Sequence, residues 1–215
     1  MSDFPAEPPR LILASSSPYR RELLERLRVP FEVSSPSIDE TPLPGEAPAA
    51  TAMRLAELKA RAVAERAASE GATNAAAGPR ALFVIGSDQV ATFDGRQIGK
   101  PGTHDKALAQ LQAMRGRTVE FHSALCLLDA TRDTAQTEDV VTRVRFRDLP
   151  DAQLDAYLRA ETPYDVAGSA KSEGLGIALV EAIESDDPTA LVGLPLIALT
   201  RMLRAAGYPL LGGAR

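Results

Sequence analysis

The residues able to do chemistry gather in three stretches. In "ASSSPYRRELL" (14–24) the apolar run Leu11–Ala14 meets three serines, then Pro18 and a helical pattern marked by Leu23, Leu24 and Leu27. Ser17 suits the N-cap and Pro18 the first helical position. Acidic residues stabilise that end of a helix, where the macrodipole is positive, yet Arg20 and Arg21 stand there. Free helix amides, serine hydroxyls and a planar guanidinium together suit a phosphate or carboxylate. The alternative is a plain cap, with both arginines in solvent.

The second stretch is "VIGSDQVATFDGRQIGKPG". Asp88 closes an apolar run, and an aspartate at the end of a buried strand is costly unless it is paired, hydrogen-bonded or metal-bound. Lys100, between Gly99 and Pro101, lies on a loop that could aim it back at the same cleft. Asp39 and Glu40 in "SIDETP" add carboxylates, and oxygen donors of this kind suit magnesium or manganese. The third stretch, "DVAGSAKSEGLGIAL", offers Lys171, Ser172 and Glu173 on a glycine-bounded loop. It fails the phosphate-loop pattern, which needs glycines where Asp165 and Ala170 stand, and the dinucleotide fingerprint, because position 179 is Leu. Taken singly, Lys171 and Glu173 read as an exposed ion pair.

Composition narrows the setting. The 215 residues allow one large α/β domain or two small lobes, and a net charge of -5 argues against nucleic acid as a partner. Phosphate binding must therefore come from a local cluster. Cys126 is the single cysteine, set in "ALCLLD", so it reads as a buried inert thiol, and with only His104 and His122 beside it a Cys/His zinc site lacks ligands. The start "MSDFPAEPPR" has no secretory pattern and no run is long enough to span a bilayer, so the expectation is a cytoplasmic protein without membrane partners.

The elements that must position these residues follow from periodicity. Residues 1–10 read as a disordered tail, 11–207 as one domain and 208–215 as a C-terminal tail. Strands are expected over 11–14, in a short piece after Val29, and over 81–93, 118–130, 138–149 and 175–183. Helices are expected over 18–28, over 49–69 with Leu55, Leu58, Ala62 and Val63 on its apolar face, and from Thr103 to about Gly116. Two more follow over 151–161 and 194–207, and "GATNAAAGPR" is a low-complexity loop. Arg143, Arg145 and Arg147 alternate with apolar residues as a solvated strand face. Mixing βα units with a hairpin predicts a mixed, twisted sheet with flanking helices. Physical reasoning reaches a single-cleft α/β protein that binds a phosphorylated small molecule with a divalent metal.

Taken together, seven ordered motifs resemble the Maf-like nucleotide pyrophosphatases: "LILASSSPYRRELL", "DET" (39–41), "RLAELKA" (54–60), "IGSDQV" (85–90), "GKP" (99–101), "AGSAKSEGLGI" (167–177) and "LVGLPL" (191–196). The resemblance implies an α/β fold of two lobes around a central cleft, related to the inosine triphosphate pyrophosphatases and often dimeric. It implies hydrolysis of a nucleoside triphosphate to the monophosphate and pyrophosphate with a divalent cation, Mg2+ or Mn2+. By the same resemblance Ser15, Ser17 and Arg20 hold phosphates, and Lys59 and Lys100 neutralise the leaving group. Glu40 and Asp88 hold the metal, and Asp88 also receives a proton from the attacking water; whether it acts as base, ligand or both is left open.

Within the family, Tyr19, Gln89 and Glu173 depart from the dTTP and UTP branch and resemble the 7-methyl-GTP branch. Methylation at N7 makes guanine cationic, so an aromatic ring gains a cation–π term and a glutamate can accept from the N1–N2 edge. A dTTP or UTP pyrophosphatase, or a non-catalytic nucleotide-binding regulator of cell division, are the alternatives.

Overall fold

The computed structural model describes residues 9–71 and 81–211. The low-complexity loop beyond Gly71 and nearly all of the N-terminal tail read from sequence lie outside them. In chain order the elements are β1 (Arg10–Ala14), α1 (Pro18–Glu25), β2 (Glu32–Ser34), α2 (Pro48–Gly71), β3 (Leu82–Phe93) and β4 (Arg96–Ile98). There follow α3 (His104–Met114), β5 (Thr118–Asp129), β6 (Thr134–Phe146), α4 (Asp151–Glu161), β7 (Val180–Glu184) and α5 (Leu196–Ala205).

The strands form one mixed sheet in the order β2-β1-β3-β5-β6-β7, with β4 also on β3. β1 lies parallel to β2 and β3, and the remaining pairings are antiparallel. β3 is more than twice as long as either strand beside it on one edge. β1 pairs with it as far as Gly86, and β4 picks up that same edge only at Ala91. Between them, among the described residues, no strand partners Ser87–Val90 on that side. The sheet is thus interrupted where Asp88 and Gln89 sit, and a break of this kind is where α/β sheets leave room for a ligand.

Packing divides the molecule into two lobes that share the sheet. In the first, α1 and α5 cover Leu11, Leu13, Phe83 and Ile85 on one face, while α2 covers Ile12, Val84, Ala124 and Cys126 on the other. In the second, α3 and α4 close over Ala91, Val119, Phe121 and Val144. Arg143, Arg145 and Arg147 line the exposed side of their segment, as alternation predicts.

Several expectations change. The face that α2 buries is Ala52, Leu55, Ala56, Ala60, Val63, Ala64 and Ala67, whereas Leu58 is 40% exposed. Alanines are required there because α2 nearly touches β3: a Cβ on Gly86 would stand 2.0 Å from the Ala56 carbonyl oxygen. The segment 175–183 is not one buried strand. Leu175–Leu179 is a 3-10 turn, and only Val180–Glu184 pairs, as an edge strand on β6. Leu175 and Ile177 remain exposed, because the chain doubles back at Gly176, where a Cβ would lie 2.5 Å from the Lys171 oxygen.

Helix α1 stops at Glu25 rather than 28, because Arg28 takes a left-handed conformation ahead of Pro30. The turn after β3 holds β4, read from sequence only as a loop. Arg10 already pairs with Leu82, and Tyr208 is buried edge-on to Phe83, so the ordered chain reaches past both of the tail boundaries drawn from sequence. Burial pushes the Cys126 thiol up to about 12, which agrees with an inert core cysteine.

Candidate active site

The close approach of α2 to β3 through Gly86 and Ala56 has a direct consequence. One turn further along α2, Lys59 reaches Asp88, two residues beyond Gly86 on the same side of the strand. Lys59 Nζ donates to Asp88 Oδ1 at 2.6 Å and lies 2.9 Å from Glu40 Oε1. Lys59 and Asp88 are both buried, while Glu40 is largely exposed on its loop. Glu40 is kept near by an anchor: Glu46 takes Arg54 of α2 through Nε at 2.6 Å and Nη2 at 2.7 Å, and Arg54 Nη2 also donates to the Thr41 oxygen. That contact holds the Glu46 carboxyl down to about 2. Asp39, beside Glu40, is spent locally on the Thr41 amide and hydroxyl.

The helix start resolves the odd pair of arginines. Ser17 caps α1 by accepting from the Arg20 amide, and Ser15, itself buried, accepts from the Ser17 amide. Arg21 points outward to Glu25. Arg20 turns inward, its Nε donating to the Gly193 oxygen at 2.9 Å. Burial lowers the Arg20 pKa, opposed by the charges of Asp88 and Glu40, so those three groups share one field. Ser87 Oγ donates to the same Gly193 oxygen. Gly193 has φ +119 and a Cβ there would stand 3.4 Å from Arg20 Nε, so glycine lets this backbone come close.

Beside this charged cluster lies a pocket lined by Tyr19, Gln89, Phe121, Val166, Glu173 and Leu191, among others. Gln89 Nε2 donates to the oxygens of Ala190 and Leu191, at 3.1 and 3.0 Å, and to Ser123 Oγ at 2.9 Å. Carbonyls accept only, so these contacts fix the amide with its NH2 toward the 190–191 backbone. The opposite end, Oε1, accepts no hydrogen bond among the described residues. Helix α4 supports the far wall: Tyr157 takes the Lys171 amide, and Glu161 takes the Leu175 amide at 3.0 Å. Lys171 lies 5.9 Å from the centre of the Tyr19 ring and 3.5 Å from Asp165. Burial works against its charge, but Tyr19 and Asp165 outweigh that and raise its pKa. The pair of Lys171 with Glu173 read from sequence is replaced by these partners. Glu173 is exposed and takes only a long bond from Ser172.

Of the residues singled out from sequence, Arg20, Glu40, Lys59 and Asp88 form one cluster, with Ser15 and Ser17 at the adjacent helix start. Tyr19, Gln89, Glu173 and Lys171 gather around the neighbouring pocket. Lys100 is exposed and makes no hydrogen bond or ion pair among the described residues. Asp88 and Glu40 are hard oxygen donors of the kind magnesium or manganese prefers, but the point their oxygens share is held by the Lys59 ammonium, so a cation would have to sit beside that contact with substrate and water completing its shell. No group of three His, Cys, Asp or Glu that could hold a metal occurs among the described residues. Sequence reasoning gave no role to the backbone of 190–193; the glycine in "LVGLPL" was its one available signal. No helix among the described residues is long and apolar enough to cross a membrane.

The family model of the Maf-like proteins matches residues 10–206, which takes in every element named above. The chain belongs to the Maf-like family. It is 74% identical over 212 residues to a 7-methyl-GTP pyrophosphatase of Burkholderia pseudomallei, covering 99% of this chain and 94% of that one. It is equally similar to the protein of that name from Paraburkholderia xenovorans, with 99% of each chain covered. The namesake in Cupriavidus metallidurans is 69% identical over 204 residues, 95% of this chain and 96% of that one. Among solved structures there is a looser likeness to the Staphylococcus aureus Ham1 protein, with TM-score 0.36 and 12% identity over 65% of this chain and 72% of that one. The α/β class stands on the sheet itself.

Proposed function

We propose that this Maf-like protein is a pyrophosphatase of the cytoplasm that hydrolyses 7-methyl-GTP to 7-methyl-GMP and pyrophosphate, and so clears the modified nucleotide. The observation that carries the reading is the adjacency of two sites: the cluster of Asp88, Lys59 and Arg20, and a pocket that holds Tyr19, Gln89 and Glu173 together. The names of its relatives point the same way.

On this reading the phosphates enter at the break in the sheet. Ser15, Ser17 and Arg20 bind their oxygens, and the incoming negative charge makes Arg20 favourable at a helix start where a cation alone is not. Asp88 orients a water toward the α-phosphorus and takes its proton. Lys59, already on Asp88, neutralises charge as it moves to the leaving pyrophosphate. Lys100, unpaired among the described residues, is available to the outer phosphates from solvent. A divalent cation held by Asp88 and Glu40 would polarise the phosphate oxygens.

In the pocket, the Tyr19 ring stacks on the cationic base, and Glu173 accepts from its N1–N2 edge. Lys171 is a second cation beside the Tyr19 ring, so base entry moves it toward Asp165. Pyrophosphate release from a panel of nucleoside triphosphates, with magnesium or manganese, tests the reading. A preference for 7-methyl-GTP is expected; preference for dTTP or UTP, or silence with binding retained, would sink it.

A further inference from the structure

The cleft does not end at Glu173. A second cavity of about 210 Å3 shares Ser172, Glu173, Leu191 and Val192 with the base pocket and runs on, away from Tyr19 and Gln89, to Ile183, Ser185 and Pro188. Beyond the rim of Ser172 and Glu173 that it shares with the base pocket, its polar groups are already engaged. Thr142 donates to Ser185 Oγ, which donates to the Asp187 oxygen. The Asp187 carboxylate takes the amide and hydroxyl of Thr189 on one oxygen, and the amides of Ile197 and Ala198 on the other. With those bonds made, the cavity offers mainly the apolar surfaces of Ile183, Pro188, Leu191 and Val192. Beyond Glu173 a polar ligand would find few partners, whereas an alkyl group would leave hydrated space for apolar contact.

Guanine has one substituent position that suits such a space. Its exocyclic N2 carries two hydrogens, and a carboxylate on the N1–N2 edge uses only one of them. Glu173 lines both cavities, so if its carboxylate takes N1–H and the N2–H beside it, a group replacing the other N2 hydrogen would project past the carboxylate, where the second cavity is the adjoining space. We infer that this cavity is an annex that admits a single alkyl group on N2, so that the substrates include N2-monoalkylated 7-methylguanosine triphosphates. The inference rests on the proposed reading of Glu173. A second alkyl group on N2 would remove the last N2–H and with it one of the Glu173 hydrogen bonds.

Binding of monophosphate products to the full chain tests this without turnover, by titration calorimetry with 7-methyl-GMP, N2,7-dimethyl-GMP and N2,N2,7-trimethyl-GMP. The singly N2-methylated nucleotide is expected within about threefold of 7-methyl-GMP, and the doubly methylated one about tenfold weaker, the cost of one charge-assisted hydrogen bond. Ile183→Trp fills the annex and should lower the affinity ratio of N2,7-dimethyl-GMP to 7-methyl-GMP by about fivefold. Because this is a ratio, a general loss of binding cancels. A tenfold loss on the first N2 methyl, or a ratio that Ile183→Trp leaves unmoved, overturns the annex. Failure of 7-methyl-GMP to bind overturns annex and base pocket together. Binding that follows the expected order, beside a failure to hydrolyse 7-methyl-GTP, supports the annex and removes only the proposed activity.

Discussion

On the proposed reading the cleft has a phosphate end and a base end, and the two are built by different means. At the phosphate end, Lys59 comes from a long helix and Asp88 from the central strand, brought together by a run of alanines against Gly86. Regular elements fix the position of these charges, as suits chemistry that depends on placing donors against a reacting phosphorus. At the base end, Gln89 is set by the backbone oxygens of 190–191, and Glu173 rides on a turn braced by Glu161. Irregular backbone carries the recognition groups there. On the proposed reading, reaction and selectivity therefore rest on separable parts of the chain, and changes at one end should be readable without disturbing the other.

The sharpest break is at the phosphate end. Asp88→Asn keeps the side-chain shape but removes the proton acceptor, so kcat should fall on the order of 10³-fold for every nucleotide while circular dichroism stays native. Undiminished pyrophosphate release would take Asp88 out of the mechanism. At the base end, Glu173→Gln should lower kcat/KM for 7-methyl-GTP by roughly tenfold to a hundredfold, the worth of a hydrogen bond to a charged group. A fall of equal size on dTTP would mean that the two ends are not separable.

Smaller still, Tyr19→Ala should cost about threefold to fivefold on 7-methyl-GTP and less on unmethylated GTP, since an exposed cation–π contact is worth about 0.5–1 kcal/mol. An equal cost on both bases would deny Tyr19 a role in sensing the charge. The smallest effect concerns the anchor of the Glu40 loop. The Glu46 carboxyl is held at about 2, below its ordinary 4.5. Its contribution to stability is therefore present above pH 4.5 and lost as the pH falls toward 2. In Glu46→Gln, melting temperatures should lose part of that acid-side slope; a profile identical to the parent's would discount the anchor.

The same contrast explains what could be read from sequence. β3 was legible because a continuous apolar run ending in an aspartate has few other meanings, and α2 because alanine-rich periodicity is unambiguous. The face of α2 was misjudged at Leu58, since counting large apolar residues overlooks that a helix lying on Gly86 must present small ones. Leu175–Leu179 was misjudged because apolar composition does not reveal a chain turning back on Lys171. The 190–193 segment acts through carbonyl oxygens, which every residue carries, so side-chain identity encodes almost nothing of its work. Lys100 shows the opposite limit: its type announced chemistry, and the fold leaves its side chain in solvent.

The interrupted edge of β3 also bears on how the protein avoids its own kind. An unpartnered strand edge invites another polypeptide to add itself by backbone pairing. Among the described residues the stretch without a strand partner is only Ser87–Val90, stopped at one side by β1 and at the other by β4. At about 3.3 Å per residue it spans roughly 13 Å, shorter than a typical strand. A foreign strand laid along it would collide with both neighbours before making more than a few bonds, and would bury itself against the charges of Asp88 and Arg20. A gap of that length is too short for a chain, so the interruption that the proposed reading gives to a nucleotide also guards against aggregation.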